Sequence, residues 1–359
     1  MSTCLHRFVF SGMCGECGET MSQDKTTSHV KLHGIGGTEL HVAPVVADAI
    51  RAVSREGTIR AGKLALVLDL DHTLVHCVSR EAPSAHGATT LNVEGEVYAI
   101  KVRPWTTEFL AAATEHFRLE IYTAGRRAYA EAIVKLLDPS GDLFGTRIVS
   151  RDDSRLGYKE LSWTHNMDPH ATIILDDSPQ AWKHSQYVLP VYPFIFFGGD
   201  GVHEGDTVEP YLASALRFLQ TVHTEVVTTS VPTDTALSTC LRRALKGVVA
   251  LITDVFATPT VFHTNAHVRT MVRMGAVVVN EPRPDITHII TENRDNVHVQ
   301  AAHPDVAIVC KEWMFQCCRR YCRVPEESFP VCTVLSRRVS PTSCDTPTGK
   351  GQKRTRPKD

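Results

Sequence analysis

The chain has 359 residues, with 38 Lys and Arg against 40 Asp and Glu and 43% apolar residues, which is the composition of a soluble globular protein with room for about two domains and tails. No run of about 18 apolar residues exists, the longest candidate, Val188 to Phe197, being broken by Pro190 and Pro193; a membrane-spanning helix and a membrane partner are therefore not expected, and the near-neutral charge gives no reason to expect direct nucleic-acid binding. The eleven Cys are odd in number and follow no regular framework, and no basic region with an apolar core opens the chain, so reduced intracellular thiols are expected rather than disulfides or secretion.

Residues 1–60 read as an N-terminal region. Cys4-x-His6 and Cys14-Gly-Glu-Cys17 supply three thiols and an imidazole at spacings that can close a tetrahedral Zn²⁺ site; unliganded thiols in a mobile terminus are the alternative. A Gly34-Ile-Gly-Gly37 turn and a helix-like segment at Val45 to Val53 follow, with no chemistry assigned to them.

The stretch Leu64-Ala-Leu-Val-Leu-Asp-Leu-Asp-His-Thr73 is an aliphatic run that ends in two carboxylates and a hydroxyl two residues apart. Alternate residues of a strand share a face, so Asp69, Asp71 and Thr73 start out pointing the same way. A continuous aliphatic run marks a strand buried on both faces, and open α/β sheets bind ligands beyond the carboxyl ends of such strands. Two acids there are poor core residues, although a strand-end Asp can also cap a following helix.

A polar stretch to Glu96 and a strand at Val97 to Val102 then read as a hairpin or flap beside the carboxylates. Arg103-Pro-Trp105 opens a helix with Phe109, Leu110 and Ala113 at helical spacing, and a strand at Phe117 to Tyr122 stops at Thr123-Ala-Gly125. A helix with Tyr129, Ile133, Leu136 and Leu137 on its buried face is followed by a strand at Thr146 to Ser150, with Lys159 a little beyond. Ala171 to Leu175 repeats the opening theme, ending in Asp176 and Asp177. Alternating strands and helices imply a parallel sheet whose tips converge on one crevice.

Such a crevice holds Asp69, Asp71, Asp176 and Asp177 with Thr73, Thr123 and Lys159. Four carboxylates this close raise one another's pKa unless a divalent cation neutralises them, and an all-oxygen set suits Mg²⁺. With a carboxylate as nucleophile and Mg²⁺ and Lys stabilising a transferring phosphoryl group, phosphoryl transfer to water is the expected reaction.

These residues resemble the four motifs of the haloacid-dehalogenase superfamily of aspartate-dependent phosphatases. More narrowly, Leu68 to His76, Val102-Arg-Pro-Trp105, Ile121-Tyr-Thr-Ala-Gly125 and Ile148 to Asp153 resemble the phosphatases of the RNA polymerase II C-terminal domain. The resemblance implies a Rossmann-like parallel α/β sheet in a phosphatase domain over 61–222. It makes Asp69 nucleophile and Mg²⁺ ligand and Asp71 the acid/base, whose main-chain carbonyl ligates the metal. Thr73 and Thr123 position the motif and the phosphate. Lys159 neutralises the nucleophile, Asp177 binds the metal directly, and Asp176 orients Lys159 or a metal-bound water. Arg103 is a candidate substrate-binding residue.

A boundary at Thr221 to Ser238 sets a linker over 223–239. Beyond it, strands at Gly247 to Ile252, Gly275 to Val279, Thr287 to Thr291 and Ala307 to Cys310, with helices at Ala266 to Met274 and Lys311 to Tyr321, resemble a small α/β BRCT domain over 240–334. Thr253 stands where some members of that family grip phosphoserine, but Asp254 replaces a small residue and Asn293 to Ala302 offers no Lys, so plain docking to a protein partner is expected. Trp313 reads as core. Cys317, Cys318 and Cys322 read as inert thiols. Residues 335–359, rich in Ser, Thr, Pro and Lys, read as a disordered basic tail and a candidate nuclear import signal.

Taken together, the resemblance implies a nuclear, Mg²⁺-dependent protein serine/threonine phosphatase acting on a phosphorylated tail, that of RNA polymerase II or a similar protein. The alternative is a non-catalytic scaffold. A small-metabolite phosphatase is disfavoured because no segment is long enough for a large cap domain.

Overall fold

The computed structural model describes residues 4–22, 28–33, 39–79, 87–154, 157–164, 168–197, 210–256, 262 and 264–331. The expected Gly34 turn and the basic tail lie outside the described residues. The N-terminal lobe is an antiparallel sheet of β1 (Phe8–Phe10), β2 (Met13–Cys14), β3 (Val30–His33) and β4 (Glu39–Val42), in the order β2-β1-β4-β3. Helix Pro44–Arg60 follows and runs well past Val53. It ties the lobe down through Arg55, whose Nε and Nη2 donate to the fully buried Asp168 carboxylate at 2.7 and 3.2 Å.

The central sheet contains β5 (Leu64–Leu68), β9 (Phe117–Tyr122), β10 (Ile148–Val149), β11 (Thr172–Asp176) and β12 (Val188–Pro190), all parallel, in the order β10-β9-β5-β11-β12. All five residues of β5 are buried, as its aliphatic run requires. The chain leaves β5 toward β9 and β10, then returns to the other side with β11 and β12. The carboxyl end of β5 is therefore the topological switch point, where open sheets bind their ligands.

A flap of β6 (Val75–Ser79), β7 (Thr89–Val93) and β8 (Glu96–Val102), ordered β6-β8-β7, stands beside that end. Glu94 and Gly95 have φ of 53° and 90°, the left-handed pair that a two-residue hairpin needs. Two expectations are corrected here. The strand at 146–150 is reduced to Ile148–Val149, and the buried face of helix Arg127–Leu137 is Tyr129, Ala130, Ile133 and Val134, with Leu136 and Leu137 half-buried.

Residues 223–239 are not an extended linker. Helix Tyr211–Thr229 runs through them into helix Thr233–Ala244. The hydroxyls of Thr221, Thr224, Thr228 and Thr229 donate to carbonyls four residues back, so β-branched polar residues are accommodated on the exposed side, while Val222 and Val226 are buried. Thr233 Oγ1 then donates to Thr172 O at 2.8 Å, fixing the second helix to the foot of β11.

The BRCT-like module is a second all-parallel sheet, of β13 (Val249–Ile252), β14 (Val277–Val279), β15 (His288–Ile290) and β16 (Ala307–Val309), in the order β14-β13-β15-β16. Helices Ala266–Arg273 and Lys311–Arg320 pack with it. Trp313 is fully buried, its Nε1 donating to Val324 O at 2.9 Å. Cys317 and Cys318 are buried free thiols, and Cys322 is an exposed one. A single apolar cluster runs from Leu64 of the first sheet to Ile290 and Val309 of the second.

Gly275 lies at φ 96°, and a Cβ there would stand 2.1 Å from the Arg242 carbonyl oxygen. Gly275→Ala is expected to cost roughly 2–4 kcal/mol of stability, read as a lower urea midpoint. An unchanged midpoint would contradict this close approach.

Candidate active site

At the switch point, Lys159 Nζ lies 2.5 Å from Asp69 Oδ1 and 2.7 Å from Asp176 Oδ2, and all three residues are buried. The rings of Tyr122 and Trp182 flank the ammonium at 5.9 and 5.5 Å, and Trp182 Nε1 donates to Asp176 Oδ2 at 2.8 Å. Lys159 belongs to no regular element, yet its backbone is fixed by N–H to Ala181 O and by O from Lys183 N–H, at 2.8 and 3.0 Å. Asp176 Oδ1 accepts from Ser178 N, so both of its oxygens are engaged.

Asp71 is served separately. Tyr129 Oη donates to Asp71 Oδ1 at 2.5 Å. Tyr129 reaches it by passing close over Gly125, where a Cβ would come within 2.6 Å of the ring. Thr73 Oγ1 accepts from Asp177 N at 3.2 Å and joins the tips of β5 and β11, while Thr123 Oγ1 accepts from Gly125 N at 3.0 Å at the tip of β9. His72, at φ 63°, turns the chain between Asp71 and Thr73, and its carbonyl accepts from Phe194 N at 2.7 Å.

One ammonium faces several acids, and the titration of the site reflects it. Burial pushes Asp69 up to about 7, with Lys159 pulling it down and Asp176 adding to the rise. Asp71 is raised by burial, moderated by the Tyr129 hydrogen bond, and Asp177 is raised by burial and by Asp176. Burial alone would lower Lys159, but Asp69 and Asp176 outweigh it and hold the amine above its ordinary range. Carboxylate oxygens of Asp69, Asp176 and Asp177 lie within 4.8 Å of one another, a set of hard oxygen donors that fits a divalent cation such as Mg²⁺.

The expected residues Asp69, Asp71, Thr73, Thr123, Lys159, Asp176 and Asp177 thus meet at adjacent strand tips. Arg103 does not join them, which corrects its placement at the substrate face. It is 1% exposed, its Nη1 donates to the carbonyls of Thr73 and Tyr192 at 3.3 and 2.9 Å, and Phe194 and Tyr211 cover its guanidinium. Cys4, His6, Cys14 and Cys17 do converge, but in the N-terminal lobe.

Tyr129, Trp182 and Gly125 went unassigned as site residues in the sequence. Only the position of Gly125, two residues beyond Thr123 at a strand tip, hinted at a role. In front of Asp71 an open groove of about 580 Å³ is lined by Ser79, Glu96, Tyr98, Arg126, Tyr129 and Arg151 among others. A cavity of about 500 Å³ beside Lys63, Phe117 and Arg147 lies at the amino ends of the strands, away from the carboxylates.

The parallel sheet with an acid-tipped central strand and an antiparallel flap agrees with the haloacid-dehalogenase-type α/β fold that the sequence resemblance implies. The family model for NLI interacting factor-like phosphatases matches residues 64–225, the stretch that forms this domain. The chain is 24% identical over 373 residues to an RNA polymerase II C-terminal domain phosphatase of Caenorhabditis elegans, covering 92% of this chain and 56% of the relative. It is 31% identical over 235 residues to the protein of the same name in Saccharomyces cerevisiae, covering 55% of this chain and 32% of the relative. The chain therefore spans well under two thirds of these relatives. The solved structure of Fcp1, an RNA polymerase II CTD phosphatase, superposes with a TM-score of 0.62 at 20% identity, over 79% of this chain and 100% of that one, so the fold is shared over that stretch.

Because its guanidinium is a buried strut, Arg103→Leu is expected to lower stability by roughly 2–5 kcal/mol, measured by chemical denaturation. Wild-type stability would instead put the guanidinium in solvent.

Proposed function

We propose that the domain hydrolyses phosphoserine or phosphothreonine in proteins by way of an aspartyl-phosphate on Asp69. The observation that carries this reading is the division of labour at the tip of β5, where Asp69 is bound to Lys159 and Asp71 is bound to Tyr129. Asp69 Oδ attacks phosphorus as the bond to the Ser or Thr oxygen breaks, and Asp71 gives that oxygen its proton. Asp71 then takes a proton from the water that attacks the phospho-aspartate, releasing phosphate and restoring Asp69.

Lys159 screens Asp69 and the phosphoryl oxygens, Asp176 holds Lys159, and Thr73 and Thr123 keep the strand tips in place. Mg²⁺ suits Asp69, Asp177 and the Asp71 main-chain carbonyl, and when bound it offsets the charge that Lys159 alone cannot balance. A phosphoprotein scaffold without turnover leaves the buried Lys159 bridge and the separate Tyr129 contact unexplained.

The open groove suits an extended polypeptide. The relatives' names support the phosphorylated C-terminal domain of RNA polymerase II, or a similar phosphoprotein tail, as substrate, and with it a nuclear location. The BRCT-like module is read as a docking unit for a protein partner. Thr253 Oγ1 already accepts from Asn296 Nδ2 at 3.2 Å, and the Asp254 carboxylate beside it, 2.6 Å from the same amide, would repel a phosphate.

Phosphate release from p-nitrophenyl phosphate and from a phosphorylated Ser-Pro peptide is expected to require Mg²⁺ and to fall at least roughly a thousandfold in Asp69→Asn; metal-independent turnover, or turnover that survives the substitution, would sink the mechanism. Tyr129→Phe tests the acid/base assignment. The hydrogen bond that is lost had favoured ionised Asp71, so the pKa of Asp71 rises and the alkaline limb of kcat/KM moves to higher pH. A limb that stays in place or moves down would remove Asp71 from that role.

A further inference from the structure

The N-terminal lobe carries a second ligand cluster whose chemistry differs from that of the acidic site. We propose that Cys4, His6, Cys14 and Cys17 form a structural Zn²⁺ site, independent of the phosphatase reading. Tetrahedral zinc with Zn–S of about 2.3 Å and Zn–N of about 2.0–2.1 Å sets ligating sulfurs about 3.8 Å apart and a sulfur and a nitrogen about 3.5 Å apart. Cys4 Sγ and Cys14 Sγ are 3.8 Å apart, Cys17 Sγ and His6 Nδ1 are 3.5 Å apart, and all four ligand atoms lie within 4.8 Å of one another. A disulfide needs sulfurs at about 2.05 Å, and these four positions carry free thiols and an imidazole.

The surrounding contacts are those of a metal centre. A zinc-bound imidazole usually gives its other ring nitrogen to a carboxylate; with Nδ1 in the cluster, His6 Nε2 lies 3.5 Å from Glu19 Oε2. The amide N–H groups of His6 and Glu16 donate to Cys4 Sγ and Cys14 Sγ, each at 3.4 Å, and so stabilise thiolates. The Glu16 carboxylate, 3.6 Å from Cys4 Sγ, is held by Arg7 at 2.6 Å, which offsets its repulsion of a thiolate. With all three cysteines as thiolates and a neutral imidazole, the loaded centre has a net charge of −1. Three soft thiolates and one imidazole select zinc over magnesium.

The hairpin of β1 and β2 has little apolar core of its own. The apolar cluster around it is Val9, Cys14 and Met21 with Cys4 against them, far too little to order a hairpin alone. His6 and Ser11 adopt positive φ, a cost that metal coordination can offset.

The test is metal analysis of the full chain, purified in excess Mg²⁺ and dialysed against a weak chelator. About one zinc per chain is expected. Cys14→Ser and Cys17→Ser should each fall below about a tenth of that, while Cys322→Ser, at an exposed thiol elsewhere, should keep it. Replacing the metal in wild type with Co²⁺ should give the visible bands of a tetrahedral cobalt thiolate, a readout that does not depend on whether the variants fold. A wild-type chain without zinc after reconstitution, octahedral cobalt bands, or zinc retained in both serine variants would overturn the proposal.

Discussion

The site depends on one buried ammonium. Lys159 comes 90 residues after Asp69 and 17 before Asp176, and a charge taken from water must be paired to be tolerated. Its two carboxylates, the Tyr122 and Trp182 rings and the backbone ladder to residues 181 and 183 together enclose it. Removing either acid would leave the amine underpaired, and removing the amine would leave adjacent buried acids that cannot all ionise. The strand tips are therefore bound to one another by the same charges that make them reactive.

A second constraint acts from behind the site. The segment from Pro190 to Phe197 receives contacts from both modules. Tyr321 donates to Pro190 O, the Arg319 guanidinium lies 4.1 Å from the Tyr192 ring centroid, and Arg103 binds Tyr192 O. From the same segment, Phe194 N–H reaches His72 O, and the amides of Phe196 and Phe197 reach His76 Nδ1. The turn carrying Asp71 is thus splinted by a segment that the BRCT-like module also holds.

Much of this was legible because buried parallel strands are written as aliphatic runs, and acids at the ends of such runs have no packing reason to be there. Leu64–Leu68 and Thr172–Asp176 show it most plainly, and the strand at Phe117–Tyr122 was found to the residue. What failed was partnership. Nothing in Arg103-Pro-Trp105 says that the guanidinium turns inward to two carbonyls rather than outward to a ligand. Likewise, a Tyr at helical spacing looks like core until Gly125 is seen to give it passage to Asp71. The helices across 223–239 were missed because Thr and Val lower helix propensity, and their back-bonded hydroxyls show only in three dimensions.

The position of β5 in its sheet has a consequence for synthesis. It is the earliest strand of the central sheet in the chain, yet it lies in the middle, with β9 on one side and β11 on the other. A growing chain cannot complete that strand's pairing until β11 has emerged, and parallel pairing across long loops is slow. Asp69 and Asp71 are made before Lys159 and Asp176 and stay apart from them until β11 has emerged. The reactive carboxylates thus come together only once the strands on both sides of β5 are in place.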